Sequence, residues 1–534
     1  MEISNKRGFA VGLLGGALAL LLSFIIRVLL GGVFLPELAA QTLFSLTPGA
    51  IESKAVESLQ SLAKYSAFTA AVILNLLVYG VLGSILLRSK SLSGPSGRID
   101  RLMSYSFLPY LALAAVGLVL LFVTAIQSSP VTVPGLLASM IPPQLAFGAT
   151  LTYFSGGTKP TEVCRAVEPP KGMKFDRKRR LFIKAGVASA VGAAILAYGV
   201  GYLLKPSSGS TVQANPNVLT PQQVTDNGNF YRVDVNIFPP TVDSSTWVLK
   251  VLGLVDTPLT LDLSQLQQMA VQEQYNTLEC VSNVVGGDLI STAQWTGARL
   301  KDILAMAGVQ ASADYVVFRA VDGYDVGIPM DRAMLEGALL AYEMNGSPLP
   351  TDHGSPLRAI IPGLYGMMNC KWITSIEAVS GVYQGYWQVR GWENDAQYQT
   401  ISDIVIPGDA QVAQRFGISG SSDVALGLVP IAGLAFAGDR GILKVEVSTD
   451  GGKTWTTASL TDPLSNYTWV FWSAQWNPPA LGNYALTVRA TDGTGAVQTA
   501  MIADPFPDGA TGYHVVDISV VAPAQNASSS QASS

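Results

Sequence analysis

Histidine occurs twice and cysteine three times in this 534-residue chain, and charged residues make up only 13% of it. Each shortage excludes something. A haem held between membrane helices needs paired axial histidines inside the spans, and His353 and His514 both lie outside the apolar part of the sequence. Cys164, Cys280 and Cys370 stand too far apart for an iron–sulfur motif. No surface stretch interleaves basic residues with aromatics, so a nucleic-acid partner is excluded. The low charge and a mean hydropathy of +0.33 are incompatible with a wholly soluble chain and imply membrane segments.

What is present begins with five apolar runs, residues 8–26, 67–87, 107–126, 133–154 and 181–204. Each is long enough to cross roughly 30 Å of hydrocarbon. Pro142-Pro143 should kink the fourth, and Arg27 can snorkel at the end of the first. The spans hold almost no ionisable residues, which speaks against a transport path. Basic residues gather before the first run (Lys6, Arg7), after the second (Arg88, Lys90, Arg98, Arg101) and before the fifth (Lys171, Lys174, Arg177, Lys178, Arg179, Arg180). The positive-inside rule then makes the N-terminus cytoplasmic and puts everything after Lys205 outside. Arg179-Arg180-Leu181-Phe182-Ile183-Lys184 looks like a twin-arginine export signal lodged within the chain, over residues 178–204; the alternative is ordinary basic anchoring. Residues 205–218 are a Ser/Pro/Asn-rich linker.

Residues 219–415 alternate short β-branched runs with short helical stretches, an α+β pattern. The focal stretch is Thr277-Leu-Glu-Cys280-Val-Ser-Asn283-Val-Val-Gly-Gly-Asp288, a lone cysteine in a turn between a strand-like run and a Gly-Gly loop. A thiol presented this way is half of a disulfide, with Cys370 as the candidate mate, or a metal ligand.

Further along come Leu340-Ala-Tyr-Glu-Met-Asn345-Gly346-Ser-Pro-Leu-Pro350, His353-Gly354-Ser-Pro356-Leu-Arg358, Pro362-Gly363-Leu-Tyr-Gly366 and Cys370-Lys371-Trp372. In order and spacing these blocks resemble the molybdenum-cofactor domain of the sulfite oxidase family, over residues 229–521. The resemblance implies a molybdenum–molybdopterin cofactor with Cys280 as the thiolate ligand of the metal. It implies Arg358, His353 and Lys371 as donors to the pterin phosphate, Gly363 and Gly366 as points of close backbone approach, and Asn283 as a shaper of the loop around the metal.

The chain departs from that family where an anionic substrate should sit. Asp234 falls at the place of a substrate-binding arginine, with Arg232 two residues off, and Trp392 stands where the family has a tyrosine. Basic residues before the Lys-Trp pair are replaced by Met367, Met368 and Asn369. Asn236 and Trp392 become the catalytic-site candidates, suited to a neutral or weakly charged oxo-substrate.

Residues 416–521 read as an all-β domain of immunoglobulin-sandwich type, with a hairpin turn at Asp450-Gly451-Gly452. The run Val447-Ser-x-Asp450-Gly-Gly-x-Thr-Trp455 resembles the dimerisation domain of the same family, which implies a homodimer. Residues 522–534 are a polar tail. The sequence thus describes a multi-domain oxidoreductase with about five transmembrane helices, transferring oxygen atoms outside the cell membrane and exchanging electrons with a separate cytochrome or quinone. Two alternatives stay open: a membrane-fed reductase of sulfoxides or similar groups, and a cofactor-free extracellular binding module.

Overall fold

The computed structural model describes residues 5–30, 32–59, 61–88, 102–107, 109, 138–155, 222–236, 238–408, 413–414, 416 and 420–522. It divides into two units: Met1–Leu46 with Leu62–Pro206, and Thr47–Ser61 with Ser207–Ser534.

In the first unit, Lys6–Leu30 and Tyr65–Arg88 are the two helices, among the described residues, long and apolar enough to cross a membrane. Glycines at every fourth position (Gly8, Gly12, Gly16) bare one stripe of the first helix. A Cβ at Gly12 would come within 2.9 Å of Gly83 Cα, and one at Gly8 within 2.9 Å of Ser84 Cα. Such stripes let backbones approach closely, which is how helices gain contact energy where lipid removes the hydrophobic drive. Gln144 Nε2 donates to Tyr79 Oη at 3.1 Å, and the Tyr79 and Phe147 rings lie 4.8 Å apart.

These two helices correspond to the first two expected spans. The third lies mostly outside the described residues; the fifth, with the twin-arginine-like run and the linker, lies wholly outside them. In the fourth, the helix Pro142–Ser155 starts at the proline pair, after a break at Ile141 that follows helical residues 138–140. Proline is tolerated there because the first turn leaves its N–H groups unbonded anyway. Arg27 does not snorkel alone: its Nε lies 2.9 Å from the Glu37 carboxylate.

In the second unit, one five-stranded sheet runs Leu259–Asp262, Val248–Gly253, Ile373–Val379, Tyr315–Ala320, Asp325–Pro329. Its pairings are antiparallel except that between Val248–Gly253 and Ile373–Val379. A second sheet runs Val271–Glu279, Ile290–Arg299, Leu339–Met344, Ser347–Pro348, and Arg358–Ile360 pairs with Leu339–Met344. The helix Leu300–Ala307 buries Leu300, Ile303, Leu304 and Ala307, the spacing of one helical face, and stops at Gly308 in the left-handed conformation (φ 67°).

Beyond residue 400 all regular strands belong to a pair of sheets. Ile401–Ile406, Val429–Phe436, Val470–Trp476 and Ser459–Leu460 form one. Asp423–Ala425, His514–Val521, Gly482–Asp492, Ile442–Ser448 and Thr456–Thr457 form the other. Ile404, Ile431 and Trp472 from the first share a core with Val445, Leu486, Val488 and Ile518 from the second, so the pair is a β-sandwich. Ile401–Ile406, on the N-terminal side of the boundary expected at 415/416, pairs with Val429–Phe436 in the sandwich. All six of its residues are buried, and a strand covered on both faces carries no alternation to tell which sheet it joins.

Trp472 is 2% exposed and donates Nε1–H to Leu434 O at 3.0 Å. Trp472→Ala should cost about 3–5 kcal/mol, read as a lowered midpoint in chemical denaturation of the sandwich.

Candidate functional site

Val271–Glu279 ends where Cys280 begins, and the chain turns at once: Cys280 N–H donates to Leu289 O and Asn283 N–H to Cys280 O, both at 2.9 Å. Asn283 closes the turn from within. Its Oδ1 accepts Leu289 N–H at 2.9 Å, and its Nδ2 donates to Glu279 Oε1 at 3.0 Å. Cys280 and Cys370 are both buried and both free, with no disulfide between them. Burial pushes the Cys280 thiol up, and hydrogen bonds from Ser282 pull it partly back.

Glu279 is buried, with Oε2 unpartnered. Burial raises its pKa to about 8, against the lowering effect of the Asn283 hydrogen bond, so the carboxyl keeps its proton at neutral pH. Tyr231 and Tyr398 are each coupled electrostatically to both Cys280 and Arg358. A side chain at Gly366 would collide with the Tyr231 hydroxyl and lie 3.2 Å from Glu279 O.

Arg358 is the anomaly of the site. It is 5% exposed, its Nε has no partner, and burial lowers its pKa to about 10. NH1 donates to His353 O at 3.3 Å, and the guanidinium lies 5.2 Å from the Trp295 ring. No carboxylate pairs with it among the described residues. Around it stand Phe230, Trp295 and His353, with ring centroids 5.4–5.7 Å apart. His353 Nε2 lies 2.7 Å from Asn227 O, an acceptor, so the ring donates there. Burial, then the Arg358 charge, lowers its pKa to about 4. His353 is therefore a neutral wall, and Arg358 is the cation.

The other expected residues divide. Lys371 Nζ bonds Asp234 and approaches Val233 O (3.3 Å) and Asp352 O (3.4 Å), while Arg232 bridges Asp234 and Asp352. The space beside Gly363 (φ 83°) is taken by Asp439 and Arg332, an ion pair of 2.6 Å. Asn236 is buried and donates to Asp322 Oδ2 at 2.7 Å. Asn369 serves the backbone: Oδ1 accepts Ile361 N–H at 2.7 Å and Nδ2 donates to Leu364 and Tyr365 carbonyls. Tyr324 donates to Met367 O at 2.6 Å, and Gln388 Nε2 donates to Met368 Sδ at 3.5 Å with its own Oε1 unpartnered.

Trp392 is buried in a line of rings between Trp387 (6.5 Å) and Phe506 (5.2 Å), its Nε1 unpartnered. A Cβ at Gly49 would lie 3.2 Å from that Nε1 and 2.9 Å from Phe506. Sequence reasoning missed Glu279, Tyr231, Tyr398 and Gln388. Only Glu279, next to the cysteine, carried a signal in the sequence.

A buried cation with no carboxylate partner among the described residues, set among rings, fits a group that brings its own phosphate, and the buried free Cys280 thiol fits a soft sulfur ligand. Among the described residues no three His, Cys, Asp or Glu side chains converge as a metal site.

His353 supplies a test of the walls. Its pKa is about 4 folded, against 6.5 as the ordinary value. Between those values the unfolded chain takes up a proton that the folded one refuses, so stability falls as pH drops from 6.5 towards 4. His353→Gln should flatten this part of the urea-midpoint-versus-pH curve.

Residues 236–387 match the oxidoreductase molybdopterin binding domain family, and residues 394–506 match the Mo-co oxidoreductase dimerisation domain family. Mitochondrial sulfite oxidase of Mus musculus is 34% identical over 301 residues, covering 50% of this chain and 55% of that one. The chain thus spans little more than half the length of the mitochondrial sulfite oxidases it matches. The oxidoreductase YuiH of Bacillus subtilis is 34% identical over 181 residues, 34% of this chain and 85% of that protein. Among solved structures, the sulfane dehydrogenase SoxCD of Paracoccus pantotrophus aligns over 57% of this chain and 85% of its own, with a TM-score of 0.49 and 21% identity. The chain is an oxidoreductase with a molybdenum cofactor, and it belongs to the sulfite oxidase family of molybdopterin-binding oxidoreductases.

Proposed function

We propose that this chain is a membrane-anchored enzyme that transfers oxygen atoms on the outer face of the cell membrane. The observation that carries the reading is the buried Arg358 guanidinium, with its Nε unpartnered and no carboxylate paired to it among the described residues, in the same domain as the buried free Cys280 thiol. When bound, molybdopterin supplies a two-electron oxo-transfer centre. The chain's own residues do the rest. Cys280 offers a sulfur from a turn that Asn283 holds rigid. Arg358 neutralises phosphate, and Trp295 with Phe230 keeps water from that pair. Glu279 holds a proton at its carboxyl beside the thiol through neutral pH. Gln388 Oε1, buried and unpartnered, is available to a substrate donor.

A second reading, reduction of a sulfoxide or similar group, gains from the substrate side. Asn236, Met367, Met368 and Asn369 carry no charge, and Asn236 is held by the Asp322 carboxylate. A doubly charged oxyanion would meet a negative neighbour there without a fixed guanidinium.

Two features support the outer-face assignment. The positive-inside pattern puts both the loop after the first span and everything after Lys205 outside. Thr47–Ser61, from that loop, groups with the catalytic unit, and Gly49 is buried against Trp392 and Phe506. The third and fifth spans, the twin-arginine signal and a homodimer through the sandwich belong to the same proposal. A cytochrome or quinone would exchange the electrons one at a time.

Purified full-length protein should carry about one molybdenum per chain. Cys280→Ser should lower turnover at least about 100-fold, and Arg358→Met should cut molybdenum content at least about tenfold. A metal-free wild type from a cofactor-competent host would sink the enzyme reading. Comparing kcat/KM for sulfite oxidation with that for methionine sulfoxide reduction decides the direction. Met368→Arg should raise the sulfite value and lower the sulfoxide value.

A further inference from the structure

The turn that presents Cys280 is closed by its own hydrogen bonds, yet it is also gripped from outside on both sides of the cysteine. On one side, Glu279 N–H donates to Tyr398 Oη at 3.3 Å. On the other, Gly286 N–H donates to Asp403 Oδ1 at 2.9 Å. Asp403 lies in the strand Ile401–Ile406 and Tyr398 three residues before that strand, so one short segment holds both ends of the turn.

A third residue backs the second grip. His514 starts the strand His514–Val521 and accepts Ile404 N–H on Nδ1 at 3.0 Å, which fixes its ring beside Asp403. The ring lies over Gly286: a Cβ there would come 2.5 Å from His514 Nε2. Gly286 has φ 77°, so glycine is required there twice, for its backbone conformation and for the space.

Asp403 is 4% exposed. A surface loop does not need a buried carboxylate to hold one amide, because water does that at no desolvation cost. A buried carboxylate spent on this amide fixes a position. It lies in the first strand of the sandwich, while the turn belongs to the cofactor domain.

We propose that Asp403 and His514 are positioning residues: the C-terminal sandwich, through the 286 end of the turn, sets the orientation of the Cys280 sulfur toward the molybdenum. This rests on the cofactor reading above. It makes the sandwich part of the active-site architecture in addition to any role in dimerisation.

The test uses the full-length holoenzyme and two readouts. Hydrogen–deuterium exchange of the peptide over residues 280–289 reads the Gly286 amide directly and needs no molybdenum. The Mo(V) electron paramagnetic resonance spectrum reads the sulfur's orientation through its g-values. Asp403→Ala should speed exchange in 280–289 by about tenfold, the worth of a hydrogen bond to a charged acceptor, and should move the g-values. Asp403→Asn keeps an acceptor oxygen and should restore both to near wild type. Gly286→Ala drives a methyl group at His514 from the loop side and should move the g-values too. It carries the test if Asp403→Ala does not fold.

Unchanged exchange and g-values in Asp403→Ala would overturn the proposal. So would faster exchange with unmoved g-values, which is the signature of a merely structural tie. A wild type with no Mo(V) signal overturns the cofactor reading and this one together; a wild-type signal that no variant shifts overturns this one alone.

Discussion

A positive charge buried without a protein partner is the constraint on which the site depends. Removing a guanidinium from water costs several kcal/mol unless an anion answers it, and Arg358 has only a carbonyl at 3.3 Å and an aromatic face at 5.2 Å. The surroundings are consistent with a missing anion. His353 is neutral, so it adds no second charge that the anion would have to offset. Lys371, the other nearby cation, is already matched by Asp234. The result is a positive charge among rings that no carboxylate offsets among the described residues.

The two halves of the catalytic unit meet at the Cys280 turn. The first sheet system supplies the strand that ends at Glu279 and the turn after it, while the segment entering the sandwich supplies Tyr398 and Asp403. The same junction carries aromatic packing from Tyr365 through Tyr398 to Phe436, with centroids 4.8 Å apart. It is a buried, polar and aromatic joint, and a loose linker could not fix side chains in this way.

Legibility in the sequence followed the type of signal. Long ordered blocks around Cys280, His353, Arg358 and Lys371 pointed to the family and its cofactor because many residues at fixed spacing rarely coincide. The helix at Leu300–Ala307 was legible from its apolar spacing. Individual roles were harder to read. Asn369 sits where the family places a basic residue, yet its amide is consumed by three backbone groups. Gly363 reads as a cofactor-approach glycine, yet its open side is filled by the Arg332–Asp439 pair. The Asn369 partners lie within eight residues but are met only because the chain folds back between Ile361 and Asn369; Arg332 and Asp439 come from distant parts of the chain, which no local pattern reports.

The sequence by itself determined the apolar runs, the α+β and β segments, and the lone cysteine in its turn. These depend on composition and on spacing within a few turns of chain. The tertiary structure alone decided that Arg358 is unpaired, that Glu279 keeps its proton, that Lys371 is paired with Asp234, and that Ile401–Ile406 belongs to the sandwich. Each of those depends on what lies across from a group once burial has removed water, which spacing along the chain does not report.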